Sequence, residues 1–191
     1  MRRLYHWTMS QAASPHAPWV LFWVALAESS FFPIPPDVLL IPMILAQPGR
    51  AFKLAAICTI GSALGGALGY LIGQEFMPIL GEPIIQFYGA QGRYEQLGEL
   101  FRQYDVWIIA VAGFSPIPYK LFTLSAGAFG SPFLLFFGVS VLARGARFFL
   151  VATLLKWGGD RLRSLVEKHL ELLTVALLVL VIVAFTLVKL F

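Results

Sequence analysis

The sequence predicts an all-α integral membrane protein, one domain built as an inverted repeat of a re-entrant helical hairpin plus a transmembrane helix. Interfacial amphipathic helices and an extra C-terminal transmembrane helix complete the expected fold. Three observations predict it. Of 191 residues, 59% are hydrophobic and 13% charged, with a mean hydropathy of +0.79, a balance that excludes an ordinary soluble domain. A proline-rich stretch occurs twice, as Phe32-Pro33-Ile34-Pro35-Pro36-Asp37 and as Ser115-Pro116-Ile117-Pro118-Tyr119-Lys120. Each copy is followed by a turn and a long apolar run, and the charge of the intervening loops alternates in sign as a chain crossing a bilayer requires.

The apolar stretches are long and do not alternate in polarity, so the spans are expected to be helices rather than barrel strands. Residues 1–16 contain Arg2 and Arg3 but no apolar core before Ala17, and are expected to stay on the protein as a cytoplasmic segment. Cys58 is the single cysteine, so no intrachain disulfide forms.

Residues 17–32 are apolar and aromatic but contain Glu28 and fall short of the roughly 20 residues that cross a hydrocarbon core. After the prolines, 38–46 form another short arm, ending at Gln47-Pro48-Gly49-Arg50 with Lys53 close behind. Proline removes an amide donor and clashes with the preceding turn, and a membrane tolerates the break only where protein or water covers the freed backbone. A path down and back fits these lengths. Residues 54–73 are then a full span without a charge, and Gly61, Gly65, Gly69 and Gly73 recur along one helical face, as tight helix packing or a ligand-facing groove requires.

Residues 74–105 are the most polar part of the chain. Tyr94, Leu97, Phe101 and Tyr104 lie at helical intervals among charges, which predicts an amphipathic helix in the interface. Two bases, Arg93 and Arg102, face five acids, Glu75, Glu82, Glu95, Glu99 and Asp105, so the loop is expected outside. Short arms recur at 106–114 and 121–130 around the second proline stretch. Residues 133–155 form the second span, which contains Arg144 and Arg147. The segment 158–169 is basic (Arg161, Arg163, Lys168) and expected in the cytoplasm, and 170–191 reads as a final crossing with an external C-terminus.

Pro33 aligns with Pro116 at an offset of 83 residues, and the halves 17–73 and 106–157 then match element for element. A hairpin returns to its own side whereas a single span changes sides, so the second half starts from the opposite face and the repeats are inverted.

Five ionisable residues lie at membrane depth in this arrangement: Glu28, Asp37, Lys120, Arg144 and Arg147. Each costs about 2.5 to 3.5 kcal/mol at the centre of a helix, so they are expected to compensate one another. Asp37 and Lys120 take equivalent places on opposing tips, where they are expected to pair; the bland reading is that these charges only clamp the hairpins together. Two acids against three bases leave one spare positive charge. Arg144 and Arg147 share a helix face, and planar guanidinium groups, exposed amides at helix N-termini and Lys120 together suit a phosphate. Glu28 and Asp37 supply the proton-coupling half: taking up two protons raises the cluster from +1 to +3 and tightens its hold on an anion.

These residues resemble the DedA family of membrane proteins, in particular its YqaA-like branch. The likeness rests on Glu28, Phe32-Pro33-Ile34-Pro35-Pro36-Asp37, Gly113-Phe114-Ser115-Pro116-Ile117-Pro118-Tyr119-Lys120 and the small-residue run Ser125-Ala126-Gly127-Ala128. It implies a bacterial inner-membrane protein with two opposed re-entrant hairpins that moves lipid phosphates, chiefly undecaprenyl phosphate, using the proton-motive force. By position, Glu28 and Asp37 match the family's membrane-embedded acids, and Lys120 stands where the family has an arginine. Many members have a further arginine before the second proline stretch, where this chain has Gly113-Phe114-Ser115; Arg144 or Arg147 is the candidate to replace it.

The reading is therefore a lipid-phosphate flippase whose partners are membrane lipids and protons, with a small-solute or ion carrier on the same scaffold as the alternative. Pairing as a homodimer is left open, and no nucleic-acid partner is expected. His6, His16 and His169 lie outside the apolar segments, and the sequence offers no metal-ligand pair or nucleophile with its base, so neither a cofactor, a metal nor an enzymatic activity is expected.

Overall fold

The computed structural model describes residues 16–32, 35–87, 89, 91–115 and 118–158. Pro33 and Pro116, the segment 1–15 and the expected crossing at 170–191 lie outside them. Among the described residues every regular element is a helix. Helix α1 (Ala17–Ser30) starts on Pro18 and stops before the first proline stretch, where the Phe31 amide still bonds to the Ala27 carbonyl. Helix α2 (Asp37–Ala46) follows Pro36 and places Asp37 in its first turn, where a carboxylate favours the positive end of the helix dipole. A single 3-10 turn, Pro48–Arg50, leads into α3 (Ala51–Phe76), whose 26 residues extend about 39 Å at 1.5 Å each. A π-helical turn, Met77–Gly81, and the short α4 (Glu82–Phe87) lead on to α5 (Gln91–Phe114).

The range of α5 joins two helices across a kink at Tyr104, whose backbone is non-helical: the amphipathic segment precedes it and the apolar arm follows it, separate elements as the sequence predicts. Helix α6 (Tyr119–Ala128) begins on Pro118. It ends in a left-handed cap: Gly130 has φ of 69°, and the Ser131 amide reaches back to the Ala126 carbonyl at 2.9 Å, as in a Schellman motif. Helix α7 (Phe133–Trp157) completes the described chain. The runs Pro48–Ile79 and Phe133–Trp157 are long and apolar enough to cross a membrane.

The side-chain contacts fix the directions. Phe52 meets Phe149 and Trp157, Thr59 lies at Gly145, and Tyr70 meets Phe133 and Phe136, so α3 and α7 are antiparallel. Along α3, Gly61 meets Phe22, Gly65 meets Leu26 and Gly69 meets Ser29; further on, Gly69 meets Thr123 and Gly73 meets Leu124. Helices α1 and α6 therefore both run parallel to α3, one beside its first part and the other beside its second, meeting near Gly69. Helix α2 starts at Arg147, through Asp37, and ends at the turn that opens α3, so it runs with α7 and against α1.

The glycine stripe is what lets these helices meet. A Cβ on Gly61 would lie 2.5 Å from the Phe22 carbonyl oxygen, and Cβ atoms on Gly65 and Gly73 would overlap the carbonyls of Leu26 and Leu124. Packing against α1 and α6 thus fills the face that could otherwise have formed an open groove. Gly65→Ala is expected to destabilise the protein by about 1 to 3 kcal/mol, since backbone must move to admit one methyl group. Thermal unfolding in detergent checks this, with Gly138→Ala, where a Cβ meets nothing within 4 Å, as the neutral control.

Two apolar cores result. One gathers Leu21, Leu40, Ile44, Cys58, Phe148 and Ala152; the other gathers Tyr70, Phe101, Ile109, Ala126 and Phe136. Between these cores α3 and α7 carry buried polar side chains among small residues: Thr59 and Ser62 on one, Ser140 and Arg144 on the other. This polar layer positions the site.

Candidate functional site

At the centre of the layer is a closed ring of hydrogen bonds. Arg144 donates from Nη2 to Glu28 Oε2 at 2.7 Å and from Nε to Ser62 Oγ at 2.6 Å. Ser29 Oγ donates to Glu28 Oε2 at 3.1 Å and lies 2.8 Å from Ser62 Oγ. Each hydroxyl has one proton; Ser29 spends its own on Glu28, so Ser62 is the donor between the two serines. The ring joins α1, α3 and α7. Its guanidinium packs over the rings of Phe148 at 4.8 Å and Tyr119 at 5.0 Å, a favourable use of a desolvated cation. Tyr119 in turn bonds to Ser140, which donates to the Phe136 carbonyl. Arg144 is 1% exposed and the Glu28 side chain 11%, so little of the ring is open to a ligand.

The second ion pair is more accessible. Arg147 pairs with Asp37, their side chains 21% and 17% exposed. Arg147 Nη1 also points at the Ser115 carbonyl, 3.4 Å away. One guanidinium thus touches the end of the first proline stretch and the start of the second. Sequence spacing put Arg144 and Arg147 on one face as a joint phosphate clamp, but each reaches a different acid, and the buried one is fully engaged. Arg147 is also the arginine that comes to Ser115, the place where the resemblance led one to expect a replacement.

Asp37 and Lys120 do not pair. Asp37 turns to Arg147, while Lys120 directs Nζ to the Phe31 carbonyl, 3.5 Å away, at the C-terminal end of α1. A cation there complements the negative end of the helix dipole. Lys120 has no carboxylate within ion-pair distance among the described residues, so the spare positive charge of the cluster is this lysine. Nearby, Thr123 Oγ1 donates to the Ser29 carbonyl at 3.1 Å, which fastens the start of α6 to the end of α1.

Pro36 is fully buried and its carbonyl accepts from Leu40, while Pro35 and Pro118 lie just before the two short helices they start. Ser29, Ser62 and Tyr119 were not singled out from the sequence. A usable signal existed: small hydroxyl residues inside apolar helices mark helix–helix contacts, and Ser29 is next to Glu28. Two apolar grooves lie elsewhere, one beside the end of α3 and one between Tyr104 and Phe122. Among the described residues no cluster of His, Cys, Asp and Glu could hold a metal.

The VTT domain model matches residues 34–156, which include both short helices, both long ones and four of the five charges. The chain belongs to the VTT-domain, or DedA, family. This DedA protein is similar to a Haemophilus influenzae protein, 39% identical over 186 residues that cover 97% of this chain and 96% of the relative. A Histophilus somni protein is 38% identical over 186 residues, covering 97% of each. The names of both state no activity. No solved structure matches the chain significantly. Membership makes this a membrane protein of a family consistent with transport.

Proposed function

We propose that this DedA protein is a flippase that moves a lipid phosphate, undecaprenyl phosphate or a phospholipid, between leaflets of the bacterial inner membrane with proton coupling. In this reading α1–α2 and the apolar arm of α5 with α6 are re-entrant hairpins, related as inverted repeats. Their support is directional: α1 and α6 flank α3 in parallel, and α2 runs with α7. The observation that carries the proposal is the joint at Arg147, where an acid of one proline stretch and a carbonyl of the other share a partly exposed guanidinium.

The chemistry follows from that sharing. While Asp37 is ionised it neutralises Arg147, and Lys120 alone faces an anion. When Asp37 takes up a proton it becomes neutral, and Arg147 can present two parallel N–H groups to phosphate oxygens beside Lys120. Release of the proton restores the ion pair and expels the anion. Glu28, closed within its ring, holds the layer in place during this exchange.

The test is reconstitution in vesicles under an imposed pH gradient, following leaflet exchange of undecaprenyl phosphate against a glycerophospholipid. Asp37→Asn is expected to leave exchange insensitive to the gradient; exchange that still follows the gradient in that variant refutes the coupling. Gradient-driven uptake of a small anion with no lipid exchange would favour the carrier reading instead.

A further inference from the structure

The first turn of α3 and the last turn of α7 share one end of the molecule, because the two helices are antiparallel and the Pro48–Arg50 turn lies against α7. That end carries Arg50, Lys53 and Lys156, none with a carboxylate within ion-pair distance among the described residues. We infer that it is a binding site for the head group of an anionic phospholipid in the adjacent leaflet. The inference does not rest on the transport reading, since Lys156 lies nine residues past Arg147, about 14 Å along α7.

Three observations select this occupant. Pro48–Ile79 and Phe133–Trp157 are both long and apolar enough to cross a membrane, so the end where one begins and the other stops lies at head-group depth. The aromatic residues agree: Trp157, 72% exposed, meets the edge of Phe52, which also stacks on Phe149, as in the ring belts of membrane–water boundaries. Next, Lys156 is held by a ring rather than by an acid. Its Nζ lies 4.4 Å from the centre of the Phe52 ring, a contact that fixes the ammonium while leaving its charge and N–H groups to an anion. Arg50 and Lys53, three apart on one helical run and both exposed, add a guanidinium fork and a second ammonium. Finally, charge separates between the two ends. The far end, where α3 stops and α5 starts, exposes Glu75, Glu95 and Glu99 with Arg102, so an anionic head group is disfavoured there and favoured here.

A lipid bound this way keeps the orientation of its neighbours in the leaflet. Leu150, Leu154 and Trp157 are exposed on one face of α7, so chains hanging from a phosphate at Lys156 run along them toward the middle of the bilayer. Each Lys or Arg close to an anionic membrane surface contributes about fivefold to binding. Three together favour an anionic over a zwitterionic lipid by about a hundredfold at low salt.

The test uses the full chain in phosphatidylcholine vesicles containing a phosphatidylglycerol with a diazirine in one acyl chain, close to the glycerol. After illumination, adducts are mapped by mass spectrometry. They are expected to concentrate at Lys53, Leu154 and Trp157, whereas a phosphatidylcholine probe with the same chain labels outward-facing residues evenly. Arg50→Gln, Lys53→Gln and Lys156→Gln are each expected to reduce the phosphatidylglycerol adducts about fivefold, and raised salt is expected to reduce them in the wild type. Arg102→Gln, at the far end, is expected to leave them unchanged. Equal maps from the two probes overturn the inference. So do adducts that survive removal of all three charges, or an end shielded from both probes by a second copy of the chain. The wild-type maps and their salt dependence decide even where a variant fails to fold. Leaflet exchange in the same vesicles keeps the two readings apart. Adducts at this end without exchange sink the transport proposal and support the head-group site. Adducts lost in Arg147→Ala, with Arg50, Lys53 and Lys156 intact, show that the probe reports the central site and overturn the inference.

Discussion

Glu28→Ala is expected to cost about 3 to 5 kcal/mol of stability, the usual penalty for removing one partner of a buried ion pair. The loss is large because Arg144, 1% exposed, keeps its charge and has no water to turn to. Ser29 and Ser62 lose part of their ring at the same time. Thermal unfolding in detergent and the yield of monodisperse protein measure the effect. Two companions separate charge from shape. Glu28→Gln keeps an acceptor for Arg144 and is expected to lose less than the alanine variant. The double replacement Glu28→Met with Arg144→Met removes both charges and is expected to recover most of the stability, since apolar substitutes for a buried pair are often neutral or better. A double variant no more stable than Glu28→Ala would show that the ring is held by something other than the charge pair.

Arg147→Ala is expected to have the opposite profile, a small loss of stability and a large loss of transport. Its pair with Asp37 is partly exposed, and screened pairs contribute little to folding. Yet Arg147 alone among the described cations contacts both proline stretches. Gradient-driven lipid exchange should fall at least about tenfold, equal to 1.36 kcal/mol in the barrier. Arg147→Lys is expected to recover part of that rate but not all, because an ammonium pairs with Asp37 without the planar fork. An unfolding midpoint that falls as far as in Glu28→Ala, or exchange that is unaffected, would remove Arg147 from the working part of the site.

The contrast between the two pairs shows where sequence reasoning stopped. It picked out five charges within apolar segments, because an ionisable residue in an apolar run is visible in a single chain. It paired them by symmetry, joining Asp37 to Lys120. What decides the pairing is reach and rotation about the helix axis. Arg147 lies on α7 beside the start of α2, whereas Lys120 lies at the end of α1 and satisfies a carbonyl there. Similarly, the four-residue glycine spacing was legible, but not its use. That α1 takes the first part of the stripe and α6 the second follows from contacts with segments about 40 residues earlier and about 50 residues later in the chain.

By itself, the sequence determined that this is a helical membrane protein, where its proline breaks fall, which charges interrupt its apolar segments and which family it resembles. These are local properties, set by hydropathy, by the missing amide of proline and by the cost of burying charge. Only the tertiary structure decided which acid neutralises which base. That choice depends on how α1, α2, α6 and α7 are rotated against α3, and such rotation is fixed by packing between distant segments. It closed Arg144 into a ring with Glu28, paired Arg147 with Asp37 and set Lys120 against the Phe31 carbonyl.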